Sequence, residues 1–144
     1  VVLLCLGDTS LFASSSNILR IIKHNYPEII TKTIPGISSV SAAAALNDFD
    51  LVKKGETLII KECPSSESEL TSLIAESKKN KTVLAIMKVG KRWNLVKETL
   101  KKEDIIYKSL IALNVGMSNQ VIHLASQYKN EVMPYFSLIL IRFD

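Results

Sequence analysis

From Val1 to Leu6 the chain carries no charged or amide side chain, and the run ends abruptly at Gly7-Asp8. An apolar run of that length suits a strand covered on both faces, the usual state in a parallel sheet. A helix is expected next over Ala13 to His24, with Ile18, Ile21 and Ile22 on one stripe. Ile29 to Ile34 is a second short apolar run. Pro35-Gly36 then breaks the chain, and Ser38 to Leu46 reads as a small-residue helix. Strand, helix, strand, helix in that order predicts a parallel sheet with crossover connections, an α/β architecture.

Asn47 to Gly55 is polar and turn-rich and reads as a linker. A strand follows over Thr57 to Lys61. Ser66 with Glu69 three residues later forms a capping box, opening a helix whose apolar face is Leu70, Leu73 and Ile74. Thr82 to Met87 predicts a strand and Arg92 to Lys102 a helix, with Trp93, Val96 and Leu100 inward. Ile105 to Ala112, Gln120 to Leu124 and Phe136 to Phe143 are the remaining strand candidates. The second block is therefore expected to be a mixed sheet with fewer helices per strand. The organisation expected is residues 1–50 as part of a first α/β domain and residues 51–144 as a second.

At 144 residues with 47% hydrophobic and 22% charged side chains, the chain is neither disordered nor fibrous. No apolar run approaches the ~18 residues of a bilayer span, so no membrane partner is expected. Cys5 and Cys63 cannot build a disulfide framework, which points to a reducing, cytoplasmic compartment. The sequence starts without Met, inside what reads as a strand, so a truncated chain is expected.

The net charge of +4 is unevenly placed: nine of the basic residues lie between Lys78 and Lys102, with Glu98 the one acid among them. Such a stretch is either a set of solvated helix faces or an anion-binding surface. Trp93 and Tyr107 are too few for a stacking platform on single strands, and nucleic acid is not the expected partner.

Several chemistries find no support in the motifs. There is no G-x-G-x-x-G, no phosphate-binding loop ending in Gly-Lys-Ser/Thr and no G-x-S-x-G elbow. Cys5, His24, Cys63 and His123 lie outside chelate spacing of one another, so no metal is expected. What stands out is where polar residues sit relative to strand ends. Gly7-Asp8-Thr9-Ser10, Pro35-Gly36-Ile37-Ser38-Ser39 and Met87-Lys88-Val89-Gly90-Lys91 each follow an expected strand. In open α/β sheets ligands lie beyond the carboxyl ends of the strands. Glycine admits a close backbone approach, and free amides at a helix start hold anionic groups.

Two of these loops carry a resemblance. Gly7-Asp8-Thr9-Ser10-Leu11-Phe12-Ala13-Ser14 resembles the Gly-Asp-Pro-x-x-Tyr/Phe-x-Ser loop of the tetrapyrrole methyltransferases, and Ile34 to Ala45 is similar to their second signature. The Ser-Ala-Ala-Ala style of that signature, Val83 to Gly90, and Pro134 to Leu140 resemble the branch that methylates carbon 20 of precorrin-2 or cobalt-factor II in cobalamin biosynthesis. Thr9 stands where the family usually has Pro, and nothing matches the family's upstream strand and Gly-Pro-Gly-type loop.

The resemblance implies the class III S-adenosylmethionine-dependent fold, part of its first domain and a full second one. It implies a folded S-adenosylmethionine, released as S-adenosylhomocysteine, between the domains. Leu6, Gly7 and Asp8 would approach its methionyl end with Leu11 nearby. Ser38 and Ser39 would contribute hydroxyl and backbone contacts, and Met87, Leu113 and Ser137 would line the adenine pocket. The acceptor would be a tetrapyrrole whose carboxylates meet a rim of Lys88, Lys91 and Arg92, and the assembly a homodimer. Transfer from a sulfonium needs mainly alignment and exclusion of water; a base must then take the proton from the methylated carbon, and no catalytic residue is assigned. Other readings are methylation of another corrin carbon, of the diphthamide precursor or of ribosomal RNA, and an inert fragment.

Overall fold

A computed structural model describes residues 1–143. Its elements in chain order are α1 (Ser14–Asn25), α2 (Ser39–Ala45), β1 (Leu58–Glu62), α3 (Glu67–Lys79), β2 (Val83–Met87), α4 (Trp93–Lys102), β3 (Ser109–Leu113), β4 (Val121–Leu124) and β5 (Ser137–Ile141). A single-turn 3-10 segment, Gly90–Arg92, leads into α4.

The five strands form one sheet in the order β1-β2-β5-β3-β4. β1 and β2 are parallel, with α3 as their crossover. β5 inserts between β2 and β3, antiparallel to both, and β4 is antiparallel to β3 at the edge. The sheet is therefore mixed, as the second block of the sequence predicts. β3 and β5 are buried at every position, which explains why Ser-Leu-Ile-Ala-Leu and Ser-Leu-Ile-Leu-Ile show no polar alternation.

Each helix is placed by its sequence. Ser66 Oγ accepts from the Glu69 amide at 3.2 Å, while the Glu69 carboxylate reaches back to the Ser65 amide rather than to Ser66 itself. Leu70, Leu73 and Ile74 of α3 and Trp93, Val96 and Leu100 of α4 pack on one face of the sheet against Leu84, Ile86, Ile111, Ile139 and Ile141. Trp93 is fully buried, and its indole N–H donates to the Asn130 carbonyl at 3.0 Å. The opposite face, with Ala85, Leu110, Ala112, Leu138 and Leu140, receives Val40, Ala43 and Ala44 of α2. Alanines on both partners let that helix lie close to the strands. Residues 47–55, expected as a linker, are irregular but held down. Phe49 and Leu51 pack against the α2 face, and Arg142 pairs with Glu56 and donates to the Asp50 carbonyl.

Three expectations are corrected. Val1–Leu6 and Ile29–Ile34 do not form strands, because neither finds a ladder partner among the described residues. Their apolar side chains stand exposed, Ile30 almost completely. An apolar run supplies the side chains of a buried strand, but the neighbouring strand supplies its hydrogen bonds. Third, the strand expected from Ile105 begins only at Ser109. Asp104 takes a positive φ of 56° and the Lys108 amide donates to the Ile105 carbonyl, so 105–108 is a turn whose two isoleucines are buried all the same. No helix among the described residues is long and apolar enough to cross a membrane.

Candidate functional site

The three loops singled out in the sequence meet. Gly7 takes φ +74°, and a Cβ placed on it would lie 3.4 Å from the Ile37 carbonyl oxygen and 3.9 Å from the Ser39 amide. Conversely, a Cβ on Gly36 would collide with the Gly7 carbonyl, lying 3.1 Å from its carbon. The first two loops thus touch main chain to main chain, at a separation only glycine permits. The third loop joins through Lys88, whose ammonium sits 5.3 Å from the centre of the Phe12 ring. Met87 packs from the end of β2 toward the α2 face of the sheet.

Within this rim the polar side chains mostly hold the backbone. Asp8 Oδ1 accepts from the Ser10 hydroxyl at 2.6 Å and the Ser10 amide at 2.7 Å, closing the turn after Gly7. Those bonds, hydroxyl first, hold its carboxyl below the ordinary 3.8, so it is ionised at neutral pH. Ser38 is the N-cap of α2: its hydroxyl accepts from the Ser41 amide at 3.1 Å. Ser39 is half-buried at the first helical position. Ser137 Oγ accepts from the Gly90 amide at 2.8 Å, and its carbonyl accepts from the Val89 amide at 3.4 Å, pinning the third loop to β5. Leu6 is exposed and Leu11 half-buried beside the first turn.

Register separates the other proposed lining residues. Met87 pairs with Leu138, which pairs with Ala112, so these three point to the α2 face. Leu113 pairs with Ser137 one position on, and points the other way, into the α3–α4 core at 4% exposure. Leu113 thus offers backbone rather than side chain to the α2 side of the rim. Among the three rim cations, Lys88 pairs with Glu62 at 3.4 Å and Arg92 donates to the Cys63 carbonyl at 3.0 Å, leaving Lys91 exposed. Much of the basic stretch is helix chemistry: Lys78, Lys79, Lys101 and Lys102 lie in the last turns of α3 and α4, where cations complement the helix dipole. Lys101 and Lys102 also pair with Glu98 and Glu67.

Sequence reasoning missed the backbone strain. Phe12, Lys88 and Asn114 take positive φ of 53°, 56° and 50°, and all three lie at this edge of the sheet or in the loop beside it. Left-handed Phe and Lys are uncommon, and such conformations concentrate where a loop must be aimed. Neither residue type signals that conformation. It also missed a cavity of about 600 Å³ between Thr9-Ser10 and α1.

The sequence model of the family described as Tetrapyrrole (Corrin/Porphyrin) Methylases matches residues 1–127. A cobalt-precorrin-2 C(20)-methyltransferase of Salmonella typhimurium is 28% identical over 138 residues, covering 94% of this chain and 55% of that protein. The chain spans between about a quarter and about half of the curated relatives it matches. Among solved structures, the cobalt precorrin-4 methyltransferase CbiF superposes with a TM-score of 0.67 at 19% identity, over 93% of this chain and 60% of that one. The uroporphyrin-III C-methyl transferase of Thermus thermophilus, solved with S-adenosyl homocysteine, gives 0.53 at 15% identity, over 94% and 62%.

Proposed function

Because this chain belongs to the tetrapyrrole (corrin/porphyrin) methylases, we propose that its rim holds S-adenosylmethionine and serves the C-methylation of a corrin precursor. Carbon 20 of precorrin-2 or cobalt-factor II is the position this reading favours. The observation that carries it is the contact between Gly7 and Gly36. Two loops brought together main chain to main chain leave amides and carbonyls, rather than side chains, as the surface a nucleoside and an amino-acid moiety would meet.

The residues present fit such a group. Gly7 and the start of α2 offer backbone at close range, and Met87 offers an apolar, polarizable wall. The ionised Asp8 holds the first turn, so its amides keep one orientation. Ser137 does the same for the third loop through Gly90. Bound S-adenosylmethionine supplies a methyl group on a positively charged sulfur, already activated for transfer. The chain's own contribution is to fix the direction of approach and keep water out, for which well-oriented systems reach effective molarities of ~10⁵ M or more. On the same reading the acceptor is a polycarboxylate tetrapyrrole and the assembly a homodimer. The likeness of the chain to the Salmonella carbon-20 enzyme supports the favoured position.

Titration calorimetry with S-adenosylhomocysteine tests the reading. Saturable heat with one site per chain is expected, and its absence at millimolar ligand would refute it.

A further inference from the structure

The cavity beside the first loop has a composition that the methyl-donor site does not explain. Ser16, Arg20, Lys23 and His24 follow one another at helical spacing along one face of α1, and Thr9 and Ser10 form the facing wall. The cavity measures about 600 Å³ and no carboxylate lines it among the described residues. Among the described residues Arg20 donates to the neutral Asn17 Oδ1, at 3.3 Å, and to no carboxylate. Neither Lys23 nor His24 forms an ion pair among the described residues. Of the carboxylates nearest in sequence, Glu28 does not line the cavity and Asp8 is turned into its own loop by Ser10. Arg20 and Lys23 stand three residues apart, where like charges repel unless an anion lies between them.

Arg20, Lys23 and His24 line one open depression together with Leu19 and the hydroxyls of Thr9, Ser10 and Thr33. The wall is also tied to the rim: Ser16 Oγ donates to the Thr9 carbonyl at 2.9 Å, linking α1 to the first loop. We infer that this cavity is a carboxylate-binding subsite, in which Arg20, Lys23 and His24 hold acidic side chains of the methyl acceptor next to the donor rim. The inference deepens the proposed function and rests on it for the identity of the acceptor. The subsite itself stands on the cavity's charge and shape.

The test uses an octacarboxylate porphyrin, uroporphyrin I, followed by its fluorescence on titration with the protein, beside calorimetry with S-adenosylhomocysteine. The wild-type chain is expected to bind the porphyrin with an affinity that falls as salt is raised. The Arg20→Glu/Lys23→Glu variant is expected to bind it about tenfold more weakly or worse at low salt. Both residues are exposed, so circular dichroism of the variant should match the wild type. A control with the same charge change, Lys97→Glu/Lys129→Glu, alters a separate cavity of about 470 Å³ and should leave porphyrin binding in place. No saturable porphyrin binding by the wild type, equal binding by the α1 variant, or equal loss in the control would each overturn the subsite. Retained S-adenosylhomocysteine heat alongside any of those results removes the subsite alone. Loss of that heat with the porphyrin pattern intact removes the methyl-donor reading and leaves the subsite standing.

Discussion

Replacing Gly36 by Ala adds one carbon at the place where two loops touch. Gly36 does not need the left-handed region, so the substitution introduces no φ strain and its effect is purely steric. The new Cβ meets the Gly7 carbonyl group, 3.1 Å from its carbon and well inside contact distance of its oxygen, with the Asp8 amide at 3.9 Å. Both partners are main chain, so no rotamer change relieves the overlap, and the first loop must move away from the start of α2. Overpacking of this kind typically costs about 1–3 kcal/mol. If the bound donor needs both loops at their present separation, that cost opposes binding, and about 1.4 kcal/mol is a tenfold change. Calorimetry should therefore show S-adenosylhomocysteine binding about ten- to a hundredfold more weakly. Gly55→Ala is the matched control. It carries strain from φ +87°, but nothing lies within 4 Å of its Cβ and it is remote from the rim. It should lower the denaturation midpoint while leaving ligand affinity unchanged. Wild-type affinity in Gly36→Ala, or equal loss in Gly55→Ala, would refute the claim that the contact between these loops builds the site.

Ser137→Ala leaves the Gly90 amide without its acceptor; a stability loss of about 1–3 kcal/mol in urea is expected, with weaker ligand binding in step. Trp93→Ala empties the centre of the α4 face and should cost about 3–5 kcal/mol by the same measurement. The Glu56 carboxyl is held below its ordinary 4.5 by the Lys53 amide first and then by Arg142. Its folded-state pKa is depressed, so its contribution to stability is present above the unfolded value and is lost as pH falls through the folded one. Urea midpoints measured from pH 7 down to pH 3 should fall less steeply in Glu56→Gln than in the wild type. Burial pushes the Cys63 thiol above 9.0, against the opposing effect of Arg92. A thiol reagent near neutral pH should modify Cys63 only once denaturant unfolds the chain, as followed by mass spectrometry.

Where sequence and structure agree, one local signal decided the matter. Ser66 and Glu69 define the start of α3, and the run from Leu138 to Ile141 reads as a strand buried on both faces, as β5 is. Where they part, the missing information was a neighbour. Val1–Leu6 carries the side chains of a buried strand without a hydrogen-bonded partner among the described residues, and Ile105-Ile106 is apolar yet lies in a turn entered through Asp104. The rim divides in the same way. Glycine and polar residues after expected strands marked all three loops, because a close backbone approach leaves a trace in composition. Which way Leu113 faces leaves none. It depends on β5 lying between β2 and β3, and on the one-residue offset that puts Met87 on one face and Leu113 on the other.

That division bears on how substitutions at the rim are read. Asp8, Ser38 and Ser137 all look like ligand contacts in sequence, yet each has a hydrogen bond to a backbone amide within its own loop, its own helix or the loop alongside. Removing any of them frees an amide and loosens the segment that carries it, so a loss of affinity at these positions does not by itself identify a direct contact. The conservative changes separate the two cases. Ser38→Asp keeps a cap acceptor for the Ser41 amide and should preserve α2, since Asp and Ser cap comparably. If binding follows the cap, Ser38→Asp behaves as wild type and Ser38→Ala does not. If the hydroxyl itself met the ligand, both would fail alike. The rim is in this sense a main-chain surface braced by side chains, which is why two glycines, and not the acidic or hydroxyl residues around them, are its most demanding positions.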